Sequence, residues 1–230
     1  MKRVLVLMMW SLNVLAMESD LIRHFFDALL KNDIDRVSAF LKKGMPINVT
    51  NKQGESALWH ACCFGSFACV ELLLSYPDVD VNTFPSPSSV PSKRVPLYYI
   101  CASTVISEMQ KEKLVRQFLE KKADLSAQDY LGDSLLFKSI ESGSKNILKF
   151  LADAGAYRGP NKQGITPLRL AVARADLAQV KELLNTDCYE TIQDDMLDVI
   201  ERLLLSPDIT DKERKKNQDL KALLKTIKLD

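Results

Sequence analysis

Apolar residues along this chain fall into short helical stripes that come in pairs. Phe25, Leu58, Leu97, Leu136 and Leu168 each open a pair, and three positions later stands Ala28, Ala61, Ile100, Ser139 or Ala171, mostly small. A spacing of three puts both residues on one helical face, and a small residue there suits the close approach of a second helix. A second apolar stretch follows each time: Val37 to Leu41, Val70 to Leu74, Leu114 to Leu119, Ile147 to Leu151 and Val180 to Leu184. The pattern predicts five successive units of two short helices, whose leading residues lie 33, 39, 39 and 32 positions apart. Recurrence at such a period marks an array of like units rather than one irregular core.

Turn chemistry separates the pairs. Gly44 before Ile47-Asn48, Asp80-Val81-Asn82, Ala123-Asp124-Leu125 and Gly155-Ala156 follow the second helices, and Gly54, Gly132 and Gly164 precede the next pair. Glycine supplies the positive φ that tight turns and helix C-caps need. The tetrapeptide Asn51-Lys52-Gln53-Gly54 recurs as Asn161-Lys162-Gln163-Gly164. Its glycine reads as the structural requirement, and the Asn, Lys and Gln before it are expected to be free to vary. Ser56, Ser134 and Thr166 place a hydroxyl where it can cap the first helix of a pair. Val95 lacks it, so the first helix of the third unit should begin less firmly.

Departures from 33 mark insertions. One residue is added near Tyr76-Pro77 and five within Thr83 to Arg94, whose three prolines and four serines predict an extended surface loop. That loop is either a projecting partner contact or a tolerated insertion. A further six fall within STVISEMQKEK, predicting an extended helix or a longer inter-helix loop.

The stretch GITPLRLAVA, Gly164 to Ala173, resembles the ankyrin-repeat signature GxTPLHxAA, with Thr166, Pro167, Leu168 and Ala171 in place and Arg169 where the family has histidine. Weaker copies are GESALWHAC from Gly54, RVPLYYIC from Arg94 and GDSLLFKSI from Gly132. The resemblance covers about residues 18 to 185 and implies an all-α solenoid of about five helix-turn-helix repeats with β-hairpin-like turns. Domain limits follow: 17–185 for the repeats and 186–230 for a helical C-terminal cap or tail. It further implies a non-enzymatic, monomeric module that binds a protein partner through hairpin tips and the concave surface of the inner helices. Carried over position by position, that platform comprises Lys52, Gln53, Glu55, Arg94, Tyr130, Leu131, Asp133, Lys162, Gln163 and Ile165 from the turns, with Phe64, Glu141 and Arg174 from the inner helices. All are expected to be exposed, and Phe64, Tyr130 and Ile165 are the expected anchors, since apolar or aromatic residues amid charge typify binding hot spots. The runner-up is a chaperone-like or inhibitory scaffold for an enzyme of the same compartment.

Beyond the repeats, Ile192, Met196, Val199, Ile200, Leu203 and Leu204 form an amphipathic stripe bounded by Ser206-Pro207-Asp208. The last segment opens with the capping-box pattern Thr210 to Glu213 and carries Leu220, Leu223, Leu224 and Ile227 on one side. A terminal repeat needs a cover for its outer face, so the Ile192 to Leu204 stripe is the first candidate cap. The final basic helix either caps as well or docks a partner or membrane surface.

Composition narrows the function classes. With 31 Lys+Arg against 30 Asp+Glu, no general attraction to nucleic acid or an anionic membrane is indicated. Five cysteines, Cys62, Cys63, Cys69, Cys101 and Cys188, form no CxxC pair, and the two histidines, His24 and His60, have no companion ligands at metal spacing. His60 is expected to pack or hydrogen-bond beside Trp59, and Tyr98-Tyr99 to add an aromatic spot to the inner helices or their core. The Cys62-Cys63 pair supports an enzymatic hypothesis only if a base stands nearby, and no nucleotide or hydrolase motif occurs. No cofactor and no small-molecule substrate are expected. At the N-terminus, Lys2 and Arg3 precede an apolar run from Val4 to Leu15, and Val14-Leu15-Ala16 completes the outline of a secretory signal peptide over residues 1–16. That predicts a secreted or periplasmic protein. The other reading is a cytoplasmic chain starting at Met17.

Overall fold

The computed structural model describes residues 19–85, 94–184 and 210–227. Residues 86–93 of the Thr83 to Arg94 insertion, the Ile192 to Leu204 stripe and the N-terminal apolar run lie outside the described residues. Helices come in pairs as the periodicity predicts: α1 (residues 19–30) with α2 (Ile34–Lys42), α3 (Ala57–Cys63) with α4 (Phe67–Leu74), α5 (Pro96–Ala102) with α6 (Glu108–Glu120), α7 (Leu135–Glu141) with α8 (Lys145–Asp153), and α9 (Pro167–Ala173) with α10 (Leu177–Leu184). A C-terminal helix spans Asp211–Ile227.

The first helix of three pairs starts on the hydroxyl anticipated for it. Ser56 accepts from the Trp59 amide, Ser134 from Phe137 and Thr166 from Arg169, which satisfies donors that a helix N-terminus leaves orphaned. Pro167 sits in the first turn of α9, where a missing N–H costs nothing. In α5, Val95 contributes only its carbonyl, which accepts from the Tyr98 amide at 3.0 Å. Glycines in the left-handed region end the paired helices at Gly65 and Gly143, whereas Asn32 and Ala175 hold the equivalent places at φ 54° and 52° without that freedom.

The chain divides into two compact units, one running through Ile100 and adding Arg116–Ala123, the other formed by Cys101–Val115 and the residues from Asp124 onward. In the first unit α4 packs against both α2 and α3. Its core holds Phe25, Leu29, Leu58, Leu73, Leu97 and Phe118, all buried, with Ala28, Ala61 and Ile100 fully buried at the close-contact positions. Asn48 ties successive turns together: its Nδ2 donates to the Asp78 carbonyl and its Oδ1 accepts from the Asp80 amide, both at 2.8 Å.

In the second unit α7 packs on α8 and α9, and α10 packs on α8 and α9. Leu135, Leu136, Ile140, Ile147, Leu168 and Val180 fill the core, with Ser139 and Ala171 fully buried at the small positions. The six-residue insertion is spent in two ways. Residues 103–107 lengthen the link between α5 and α6, and α6 itself runs to 13 residues against 8 or 9 in the second helices of the other described pairs. Buried Lys111 on α6 donates to Ser144 Oγ at 2.7 Å, and that hydroxyl donates to Glu108 Oε2 at 3.0 Å. Burial pushes the Lys111 ammonium down from its usual range, against the opposing pull of Glu108 and Cys101.

The C-terminal helix begins on the capping box seen in the sequence: Glu213 Oε2 accepts from the Thr210 amide at 3.0 Å, and Thr210 Oγ1 from the Glu213 amide at 3.3 Å. It packs against α10 with Leu220 and Leu224 buried. Those two leucines are therefore committed to the protein, as a cap requires. Among the described residues no helix is long and apolar enough to cross a membrane.

Candidate functional site

Three hairpin tips share one frame. In residues 51–55, 129–133 and 161–165 the first residue's amide donates to the carbonyl of the last, at 3.0, 3.0 and 2.9 Å. Gly54, Gly132 and Gly164 occupy the left-handed region at φ 76°, 81° and 74° and donate back to the carbonyl of the first residue. The side chain of that first residue completes the turn. Asn51 Oδ1 accepts from the Gln53 and Glu55 amides, Asp129 Oδ1 from Leu131 and Asp133, and Asn161 Oδ1 from Gln163 and Ile165, all within 2.9–3.0 Å. The expectation that Asn is free to vary is thus overturned at both copies of the tetrapeptide. A short carbonyl side chain is needed to bind two amides that the tight turn leaves without backbone partners. The signal was present in the sequence as an Asn or Asp three residues ahead of each tip glycine.

What the frame projects are the middle residues. Lys52, Gln53, Tyr130, Leu131, Lys162 and Gln163 are exposed, as are Phe64, Glu141 and Arg174 at the inner-helix ends. Four residues expected to be exposed are not so placed. Asp133 is buried, at 6% exposure, accepting from Asn161 Nδ2 at 2.8 Å and Lys138 Nζ at 3.1 Å. The Glu55 side chain is 18% exposed, accepting from Asn51 Nδ2 at 2.7 Å and lying 3.0 Å from His60 Nδ1. Ile165 and Arg94 are half-buried. The physical reason is common to the two acids: each follows the tip glycine, at the point where the chain turns back toward the first turn of an inner helix. A carboxylate so enclosed needs hydrogen-bond donors around it to offset its lost hydration.

In the second unit those donors form a cluster. Lys138 Nζ lies 3.1 Å from Asp133, 2.8 Å from Glu141 and 3.9 Å from Asp129. Burial alone would push the Lys138 ammonium down, but its bonds to Glu141 and Asp133 outweigh it and hold the ammonium above its usual range. The tips also touch one another, the Lys162 amide donating to the Leu131 carbonyl at 2.9 Å.

In the first unit the inner helices carry aromatic contacts. His60 packs edge-on to Phe26 and at 4.4 Å against Phe64, while Trp59 meets Tyr99 edge-on and donates its indole N–H to the Arg94 carbonyl at 2.7 Å. The Arg94 guanidinium lies 5.3 Å from the Tyr98 ring centre. Tyr98 is buried and Tyr99 half-buried, so most of this aromatic surface is core, and Phe64 is what remains outside, at 54% exposure.

Among the described residues the thiols offer no activated nucleophile. Burial pushes Cys62 and Cys63 up, and the hydrogen bond with Tyr99 only partly offsets this at Cys63. Burial likewise pushes Cys69 up to about 11 and Cys101 to about 12. Nucleophilic cysteines need the opposite shift. Cys188 lies outside the described residues. Among the described residues no three His, Cys, Asp or Glu side chains converge as a metal site would require.

A family model described as ankyrin repeats (3 copies) matches residues 25–85 and 99–195. No curated protein matches the chain.

Proposed function

The chain belongs to the ankyrin-repeat family, whose repeats generally serve as protein–protein interaction modules, and from that premise we propose that it is a non-enzymatic module holding a protein partner on its hairpin tips and inner-helix ends. The observation that carries this reading is the shared frame of the three tips. Four hydrogen bonds in each hold the turn, and the side chains of the residues between, Lys52-Gln53, Tyr130-Leu131 and Lys162-Gln163, are left projecting. Rigid scaffolds that present variable loop residues are how binding surfaces are built. The raised Cys62 and Cys63 thiols favour binding over nucleophilic catalysis. We place the module outside the cytoplasm, as a secreted or periplasmic factor, on the signal-peptide outline of residues 1–16.

A photo-crosslinking amino acid at Phe64, Tyr130 or Gln163 should yield adducts with a second polypeptide, whereas the same group at Lys149 on α8 should not. Adducts only from α8, or none from the tips, would remove the tip surface from the function. Sequencing the N-terminus of the mature chain tests export: a start at Met17 after initiation at Met1 supports it, and retention of Met1 refutes it.

A further inference from the structure

Resting on the reading of the tips as a binding surface, we infer that the tip face of the second unit takes an acidic polypeptide segment, one bearing Asp or Glu beside an apolar or aromatic side chain. The sequence places acids and bases on the hairpins in near balance: Asp129 and Asp133 against Lys162, with Glu141 against Arg174 on the inner helices. Folding breaks that balance. Asp129 and Asp133 are buried, and their carboxylates are occupied by the Leu131 and Asp133 amides, Asn161 Nδ2 and Lys138 Nζ. Glu141, the one acid of this group that remains exposed, has Lys138 Nζ 2.8 Å away. The cations are disposed the other way. Lys162 projects from its tip and Arg174 is exposed at the end of α9. A partner approaching the tips therefore meets the Lys162 ammonium and the Arg174 guanidinium, one nitrogen of which donates to the Glu141 carbonyl at 3.5 Å, while the Asp129 and Asp133 carboxylates lie behind hydrogen bonds already made and the exposed Glu141 carboxylate is paired with Lys138.

Beside Lys162 stand Tyr130, 49% exposed, and Leu131, 36% exposed, brought there by the Lys162–Leu131 backbone bond. Amphipathic aromatic and aliphatic side chains next to a cation fit a carboxylate with an apolar neighbour, through a charge-assisted hydrogen bond and area burial together. Phosphate polymers would satisfy the cations but leave Leu131 without an apolar complement. The first unit repeats the charge arrangement independently, with Lys52 outward and Glu55 enclosed by Asn51 and His60.

The test is selection of a displayed random peptide library on the full chain. The expected result is enrichment of Asp or Glu next to Leu, Phe or Tyr. Binding of a selected synthetic peptide should weaken about tenfold or more in Lys162→Glu and in Arg174→Glu, and fall with added salt. It should hold in Lys181→Glu on α10, and circular dichroism should show all three variants folded. Selected peptides that lack acids, or whose affinity ignores Lys162→Glu, would overturn the acidic assignment while leaving a peptide-binding module. Selection of no peptide, with binding of polyphosphate or a homopolymeric RNA that is lost in Lys162→Glu, would overturn it in favour of a phosphate ligand. No selected peptide together with no tip crosslink would overturn the binding reading as well.

Discussion

Asn161 donates from Nδ2 to Asp133 Oδ1 at 2.8 Å, and both side chains are buried. The contact joins two hairpin tips 28 residues apart, while the Oδ1 of the same amide holds its own turn through Gln163 and Ile165. One side chain thus serves two repeats, which a lysine or glutamine at that place could not do without changing the turn.

Replacing it should be costly. Asn161→Ala removes three hydrogen bonds and leaves Asp133 short of a donor, so a loss of about 2–3 kcal/mol is expected in urea unfolding. Asn161→Asp keeps the turn acceptor but sets a second carboxylate against Asp133 and should cost at least as much. An unchanged urea midpoint in Asn161→Ala would show that the bond is not made.

Backbone conformation predicts changes of opposite sign at two small residues. Ala175 holds φ 52°, where its methyl is strained, so Ala175→Gly should stabilise by about 1 kcal/mol. Gly132 sits at φ 81°, and an added Cβ would stand 3.0 Å from the Lys162 amide nitrogen, which is backbone and cannot swing away. Gly132→Ala should cost about 2 kcal/mol or more. Thermal midpoints of the two variants should move in opposite directions.

Lys138 Nζ reaches both Asp133 and Glu141, and its side chain is 14% exposed. Lys138→Met removes the charge and keeps the apolar stem, leaving Asp129 and Asp133 enclosed together. Breaking such a buried arrangement from one side costs about 3 kcal/mol. Denaturant unfolding at neutral pH should show that loss, and Lys162→Glu at the exposed tip should change the midpoint by no more than about 0.5 kcal/mol.

The thiols set an alkaline limit. Burial raises Cys69 to about 11 and Cys101 to about 12, above the ordinary thiol value that each regains on unfolding. The native state therefore binds the thiol protons more tightly than the unfolded state. The resulting stabilisation is complete below about pH 8.5 and is lost as pH rises toward the native values. Urea midpoints should fall across that window, with a shallower slope in the Cys69→Ala/Cys101→Ala double variant. In a Cys188→Ser background, half-buried Cys63 should be the first thiol to react with a disulfide reagent at pH 8, and an early reaction at Cys101 would contradict its burial.

Much of the fold was legible because its determinants are local and repeated. The anchors Phe25, Leu58, Leu97, Leu136 and Leu168 are all buried, as the period required, and the hydroxyls of Ser56, Ser134 and Thr166 cap the helices they precede. Tip glycines are recognisable because glycine enters the left-handed region without steric cost. The role of Asn51, Asp129 and Asn161 was within reach too, since the turn they hold closes over four residues.

By itself, then, the sequence determined the helix pairs, their period, the caps and the position of each tip, because those depend on contacts between residues a few places apart. Which tip charges face a partner was decided only by tertiary structure. Glu55 and Asp133 follow their tip glycines in the same way as exposed residues would, and nothing adjacent marks them as enclosed. Their direction depends on His60 and Lys138 in the following helix and, for Asp133, on an amide 28 residues away. A carboxylate turns inward only where the fold has already gathered donors to receive it, and that gathering is a property of the packed repeats rather than of any one of them.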